Sequence, residues 1–349
     1  MSDAKQLSLA VQGVGLIGQR HCQHIMACDG VTLSAIIDPS PQTGAIARQF
    51  GVPHFASFAA MLDEHRPDGV VIATPNALHV PNGLEAVAAR IPALIEKPLA
   101  DDAAKGRQLV EAAKAAGVPL LVGHHRRHNP MIGQAKAMLE AGRIGQIVAV
   151  HGSFWLSKPD AYYDVTWRRE PGAGPVLINL IHDIDLLRYL CGDVCEVQAM
   201  SANHQRGFAV EDSAVVLLRF ANGALGTVTV SDTIPAPWSW ELTTAENPAY
   251  PQTDQSCYVI GGSKGSLSIP RLEVWSHQNG ARDWWQPMQC ERTSLIAQDP
   301  LRLQISHFAE VIRGEAEPLV SGEEGLKSLA VIDAIGRAAQ TGRLIRLHD

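Results

Sequence analysis

The 349-residue chain is 46% hydrophobic and 19% charged, with a formal net charge of -7. That length leaves room for two domains with sizeable cores, and the acidic balance lacks the basic footprint of a nucleic-acid binder. No apolar run reaches the roughly 18 residues of a membrane span, and Met1 to Gln6 lacks the apolar stretch of a secretory leader. The expectation is a cytoplasmic protein with neither nucleic-acid nor membrane partners. The six cysteines (Cys22, Cys28, Cys191, Cys195, Cys257 and Cys290) show no Cys-x-x-Cys spacing. They read as reduced thiols, not as a disulfide frame or zinc site.

Leu7 to Val11 is a short apolar strand, Gly13-Val14-Gly15-Leu16-Ile17-Gly18 follows at once, and Gln19 to Cys28 reads as helix. In that setting Gly13 permits a tight turn, Gly15 lets backbone approach a pyrophosphate, and Gly18 lets helix and strand pack closely. The helix N-terminus then offers unpaired N–H groups to phosphate. A second strand, Val31 to Ile37, ends in Asp38, 20 residues past Gly18, where an acid accepts bonds from ribose hydroxyls. The pattern predicts a dinucleotide site; a plain glycine turn is the alternative. Asp38 repels a 2′-phosphate and Pro39-Ser40 supplies no arginine, so NAD is preferred over NADP.

Helices are predicted over Thr43–Phe50, Ala60–His65, Pro81–Ala89 and Asp101–Ala116, and strands over Gly69–Ala73, Ala93–Ile95 and Pro119–Val122. This alternation is that of a doubly wound parallel sheet with helices on both faces. Ligands of such sheets bind at the carboxyl ends of strands. Thr74-Pro75-Asn76 with His79, and Glu96-Lys97-Pro98, both fall there. Pro98 restrains the Lys97 backbone, and Glu96 points to the opposite side. A salt-bridged strand end is the alternative to a catalytic Lys97, and capping or packing the alternative to a cofactor contact by His79.

Gly123-His124-His125-Arg126-Arg127-His128-Asn129-Pro130 reads as a polar hinge; its cations and lack of an adjacent carboxylate argue against a metal site. A helix over Met131–Ala141 and an alternating strand over Ile147–Trp155 follow. Leu156 to Gly174 is rich in aromatic and cationic residues: Lys158, Tyr162, Tyr163, Trp167, Arg168 and Arg169. Such side chains suit a hydroxylated substrate, or fill a small core of the loop's own. Gly172-Ala173-Gly174-Pro175 opens a helix over Val176–Leu190 that carries His182 and, at i+3, Asp185; a core histidine paired with Asp185 is the alternative there. From Glu196 the period is mostly two. Strands are expected over Val197–Asn203, Ala214–Phe220, Ala224–Ser231, Tyr258–Ile260, Ser266–Ile269 and Leu272–Trp275, with Asn222-Gly223 as a hairpin turn. Helices over Leu301–Arg313 and Glu323–Thr341 and a strand over Leu344–Leu347 close the chain.

Seven stretches together carry a resemblance: Gly13 to Gly18, Thr74-Pro75-Asn76 with His79, Glu96-Lys97-Pro98, Gly123 to Pro130 with Arg127, Gly172 to Asp185, Glu211-Asp212-Ser213, and Gly322 to Gly342. The chain resembles, almost end to end, the glucose–fructose oxidoreductase, inositol dehydrogenase and rhizopine-catabolism (Gfo/Idh/MocA) family. The resemblance implies an NAD-binding Rossmann domain over residues 1–123. It implies a substrate-binding and oligomerisation α/β domain over 124–349 with a large open, mostly antiparallel sheet. It also implies an NAD-dependent dehydrogenase that oxidises a secondary alcohol of a sugar, cyclic polyol or related hydroxy compound.

Lys97 and His182 are the catalytic residues on this reading. Gly13, Gly15, Leu16, Ile17, Gly18, Asp38, Thr74, Pro75, Asn76, His79, Glu96 and Lys97 are expected at NAD. Lys97, His125, Arg127, Trp167, Arg168, Asn179 and His182 are expected at a small polar substrate. The family has Asp four residues before the His; this chain has Ile178 there and Asn179 three before. Asp185 is the remaining carboxylate to orient the imidazole. No metal is expected, since the cofactor takes the electrons. An uncovered sheet face between Glu196 and Pro300 implies a homodimer or homotetramer. The alternatives are an NAD-binding sensor without catalysis, or an enzyme whose tightly held NAD is recycled within one turnover.

Overall fold

The computed structural model describes residues 6–280 and 283–347; the expectations touching Met1–Lys5 and His348–Asp349 lie outside the described residues. Contacts sort the chain into two compact units. One is the chain through His128 together with Asp299–Leu329; the other is Asn129–Gln298 together with the chain from Ala330.

The first unit runs β1 (Leu7–Gln12), α1 (Leu16–Met26), β2 (Val31–Ile37), α2 (Thr43–Phe50), β3 (His54–Phe55), α3 (Phe58–Glu64), β4 (Gly69–Ile72), α4 (Asn76–Ala88), β5 (Ala93–Ile95), α5 (Ala103–Ala116) and β6 (Leu120–Val122). The six strands are parallel in the order β3-β2-β1-β4-β5-β6. β3, two residues long, is too short to leave a periodic signal. The helix predicted to start at Pro81 starts at Asn76, and Pro81 lies inside it, where it removes a single intrahelical bond.

Right-handed crossovers put helices on opposite faces as the chain winds out in the two directions. That winding leaves the β4–β6 half of one face bare. The segment Pro300–Arg313 fills it: Ile305, Phe308 and Ala309 join Val71, Leu94, Leu121 and Ile25 in one buried cluster. Gly69 leaves room for it, since a Cβ there would lie 2.6 Å from Ile312 Cδ1 and 3.0 Å from Phe308 Cζ. This is why the first unit differs from a cut at 123/124: residues 299–329 pack with it. The opposite face buries Ile72, Ile95 and Val122 with Met61, Ala86 and Leu109.

The second unit contains α6 (Pro130–Glu140), β7 (Ile147–Trp155), a π-helical turn (Val176–Leu180) running into α7 (Ile181–Cys191), β8 (Val194–Ala202), β9 (Ser213–Phe220), β10 (Leu225–Ser231), α8 (Trp240–Thr243), β11 (Tyr258–Gly262), β12 (Gly265–Ile269), β13 (Glu273–His277) and β14 (Met288–Arg292). The chain then gives α9 (Pro300–Arg313) to the first unit, enters α10 (Gly322–Thr341), and ends the second sheet with β15 (Ile345–Arg346). Nine strands order as β14-β13-β12-β11-β7-β10-β9-β8-β15, antiparallel except at β7/β10.

One face of this sheet is covered: Ile132, Ile184, Leu187 and Ile335 cluster with Val216, Val228 and Ile260. The period-two pattern of β9 sends Val215 and Leu217 to the other face. Strand register aligns them with Met200, Leu225, Val259 and Trp275, all exposed.

Candidate functional site

At the head of the first unit, the three glycines of the loop have different physical reasons. Gly13 turns the chain at φ +86°, and a Cβ there would sit 2.7 Å from the Ala73 carbonyl oxygen. A Cβ on Gly18 would meet the Gly13 carbonyl oxygen at 2.0 Å. Gly15 caps α1 in extended conformation, and nothing lies within 4 Å of where its Cβ would be. The protein's own packing thus demands Gly13 and Gly18, whereas Gly15 faces open space at the positive end of a helix. Leu16, the first residue of α1, is 88% exposed, and Ile17 is half-buried. A pyrophosphate fits this cradle, which a side chain at Gly15 would fill. Asp38 clamps the loop: Oδ2 accepts the Val14 N–H at 3.2 Å and Oδ1 the Ser40 N–H at 2.9 Å. A carboxylate has about four acceptor positions, so hydroxyl donors can still be met.

Lys97 is half-buried at the end of β5. Glu96 beside it is only 6% exposed. Its Oε1 lies 2.7 Å from Nε2 of the fully buried His21, and Oε2 accepts the Lys97 N–H at 3.1 Å. Burial pushes the Glu96 carboxyl up, but the His21 hydrogen bond and the charges of His21, His125 and Lys97 outweigh it and hold it at about 2. The Glu96 carboxylate braces α1 against the Lys97 main chain. His79 is engaged in a similar way. It is buried, with Nδ1 2.7 Å from the Pro98 carbonyl oxygen and Nε2 2.8 Å from that of Thr74. A neutral imidazole has one N–H to donate between them; burial lowers its pKa despite the pull of both carbonyls. His79 therefore links the head of α4, formed by Thr74, Pro75 and Asn76, to Pro98.

The histidine-rich stretch predicted as a hinge is largely enclosed. Arg127, expected at the substrate, pairs through Nη2 with Glu324 at 3.0 Å, its side chain 2% exposed, and Nη1 reaches the Leu319 carbonyl at 3.5 Å. It ties residues 319–324 to the first unit. His125 is half-buried. Burial, with the charges of His307, His125 and Arg127, pushes His128 down to about 3. Among the described residues no three histidine, cysteine or carboxylate side chains are grouped to hold a metal ion.

In the second unit, Gly172 (φ +89°) starts the turn into the helix that carries His182. His182 is 7% exposed, and Asp185 is buried one turn on. Ile178 and Asn179 lie within the π-helical turn, a rare geometry often seen at functional sites. Asn179 Oδ1 is enclosed and accepts no hydrogen bond among the described residues. Much of the upstream loop is engaged in its own structure. Arg168 stacks 4.1 Å from the Tyr162 ring and donates Nη1 to the Tyr162 carbonyl at 2.7 Å. Buried Asp232 accepts from the Tyr163 hydroxyl and from Arg206 Nε at 3.1 Å, with Lys158 Nζ at 3.6 Å. Burial lowers the Lys158 pKa, against the pull of Asp232. The expectation that Arg168 reads the substrate meets a guanidinium already bonded within the loop, while Trp167 stays 54% exposed.

Residues 7–124 match the family described as Oxidoreductase family, NAD-binding Rossmann fold, and residues 136–347 its C-terminal alpha/beta domain. The chain belongs to the Gfo/Idh/MocA oxidoreductase family. An inositol 2-dehydrogenase of Rubrobacter xylanophilus is 31% identical, over 97% of this chain and 93% of that protein. A D-apiose dehydrogenase of Paraburkholderia graminis is 28% identical, over 99% and 91%. The crystal structure of the WlbA dehydrogenase of Bordetella pertussis, in complex with NADH and UDP-GlcNAcA, superposes with a TM-score of 0.80 at 29% identity, covering 99% of this chain and 100% of that one. NAD is thus the cofactor of this Gfo/Idh/MocA protein.

Sequence reasoning missed His21. It is 75 residues from Glu96, and nothing in a helix pattern distinguishes a buried histidine with a partner from one without. It also passed over Asp232, a single acid at the end of β10 whose partners come from two separate loops.

Two outcomes follow from the geometry. Gly15→Leu should weaken NAD binding on the order of tenfold or more, about 1.4 kcal/mol, without lowering Tm. Gly18→Ala should instead destabilise the fold by about 1–3 kcal/mol through overpacking; fluorescence titration with NADH and thermal melts separate the two. For Glu96, a folded pKa near 2 against an ordinary 4.5 means its stabilisation is complete above about pH 4.5 and lost as pH falls through 2. The stability advantage of wild type over Glu96→Gln should therefore shrink across that window in urea titrations. A constant difference would show that the carboxylate's charge is not what matters.

Proposed function

We propose that the protein is an NAD-dependent dehydrogenase that oxidises a secondary alcohol of a sugar, cyclic polyol or related hydroxy compound. NAD, when bound, accepts the substrate hydride. The glycine loop, the head of α1 and Asp38 hold it, and Asp38 favours it over NADP by charge. His182 removes the hydroxyl proton, a role typically worth about 10²–10⁴-fold, and Lys97 is the second catalytic residue, a cation that polarises oxygen. Asp185, at i+3, orients the imidazole.

The observation that carries the alcohol chemistry is Asn179 Oδ1, an enclosed acceptor with no donor among the described residues, three positions before His182. Leaving such a group unsatisfied costs about 1–3 kcal/mol, and a substrate hydroxyl supplies the donor. Trp167, still exposed, offers a face to the C–H side of a ring. The names of the relatives, an inositol and an apiose dehydrogenase, support the same substrate class. A second reading, a sensor that binds NAD without catalysis, draws on Ile178 in the position of the family's Asp. NADH formation with any member of a polyol, aldose and sugar-acid panel distinguishes the two.

The substrate-side and assembly roles are assigned to the second unit. Its sheet leaves Met200, Val215, Leu217, Leu225, Val259 and Trp275 on one exposed face, an apolar surface that a second copy would cover. Six free thiols, four of them buried, favour a reducing, cytoplasmic setting. Among the described residues no helix is long and apolar enough to cross a membrane.

Lys97→Met and His182→Ala should each reduce kcat by more than about tenfold while NADH affinity stays near wild type. Turnover in either variant within threefold of wild type would remove that residue from the mechanism. In light scattering the wild type should run as a dimer or tetramer, and Leu217→Glu should shift it toward monomer. A wild-type monomer at micromolar concentration would refute the assembly.

A further inference from the structure

The helix carrying His182 is held at its head by a side chain 35 residues downstream. Glu211 Oε1 accepts the Val176 N–H at 3.1 Å. Val176 opens the π-helical turn, Pro175 before it has no N–H, and the Ile178 N–H already bonds the Gly174 carbonyl at 3.0 Å. A carboxylate at that end also suits the helix dipole. The fit is tight on its other side: a Cβ on Gly174 would lie 2.1 Å from Glu211 Oε1 and 2.3 Å from Cδ. Gly174 is not among the residues with positive φ, so alanine suits its backbone, and the three atoms nearest to the added Cβ all belong to this carboxylate.

We infer that Glu211 is a positioning residue: by holding the Val176 N–H it fixes the register and height of the helix head, and with it the His182 imidazole. This rests on His182 being the proton acceptor. Burial holds the Glu211 carboxyl above its ordinary range, with Asp232 raising it further and Lys158 opposing. The contact needs only an acceptor oxygen, which a glutamine amide also supplies. Glycine at 174 and glutamate at 211 then act as one device, the first making the space that the second fills.

The test is a double-mutant cycle on the full-length protein, read as NADH formation with the alcohol that the wild type oxidises, alongside Tm and NADH affinity. Displacing a catalytic group by about 1 Å costs up to about a hundredfold. Glu211→Ala and Gly174→Ala are therefore each expected to lower kcat by about ten- to a hundredfold, with NADH affinity unchanged. Glu211→Gln should stay within threefold of wild type. The double variant Glu211→Ala/Gly174→Ala should be no worse than Glu211→Ala, because the added methyl then meets no carboxylate.

Equal losses in Glu211→Gln and Glu211→Ala would overturn the inference, since charge rather than the bond would be at stake. So would additive losses in the double variant, or unchanged kcat in both single variants of an active enzyme. If Glu211→Ala does not fold, Gly174→Ala carries the test, as it displaces the carboxylate without deleting it. A wild type inactive on the whole panel would instead count against the dehydrogenase reading itself.

Discussion

The first unit depends on one buried carboxylate. Glu96 lies between the His21 imidazole and the Lys97 N–H, and it can remain charged there only because both oxygens are met. Gly123 leaves the room: a Cβ there would come within 3.0 Å of Glu96 Cα and Cδ. The helix whose head faces the pyrophosphate and the main chain that carries the proposed catalytic lysine thus hang on the same group. A shift of α1 moves His21, and through Glu96 it moves Lys97.

The same economy recurs around the cradle. Asp38 meets two N–H groups of its own loops before any ribose hydroxyl, and His79 ties Thr74 to Pro98. Asp38, His79 and Glu96 each meet backbone near the strand ends. Facing outward at the cradle are helix N–H groups and the remaining lone pairs of Asp38. That suits a cofactor recognised mostly through phosphates and hydroxyls, for which fixed backbone donors need little reorganisation on binding.

What the sequence disclosed was local. Gly13 to Gly18 and the acid at Asp38 are spacings within one β–α–β unit, the Lys-Pro pair is a local strand-end pattern, and the β9 and β10 alternation is a period of two. What it hid was long-range. α9 covers a half-face that becomes visible only once strand order is known, and Arg127 meets Glu324 across 197 residues. Residue type alone also says nothing of partners. His79 lies between two carbonyls, Glu96 meets the His21 imidazole and the Lys97 N–H, Arg127 pairs with Glu324, and Arg168 donates one N–H to the Tyr162 carbonyl. A sequence reports which donors exist but not which are already engaged.

The helix of His182 shows how a missing carboxylate changes the problem. With Ile178 in the family's Asp position and the neutral Asn179 beside it, no carboxylate stands at that position of the helix. Of the two acids that follow, Asp183 is turned to the Tyr258 hydroxyl on β11, which leaves Asp185 on the His182 side of the sequence pattern. At i+3 it shares a helix face with His182. In the proposed mechanism the proton transfer then rests on where the helix head sits. That position is set in the π-helical turn, where Gly174, Val176 and Glu211 meet. A wide turn gives the first residues latitude that a regular α-helix would not, and a carboxylate bonded to Val176 removes it. The Glu211 bond to Val176 is thus the geometric constraint that the structure shows on that helix head.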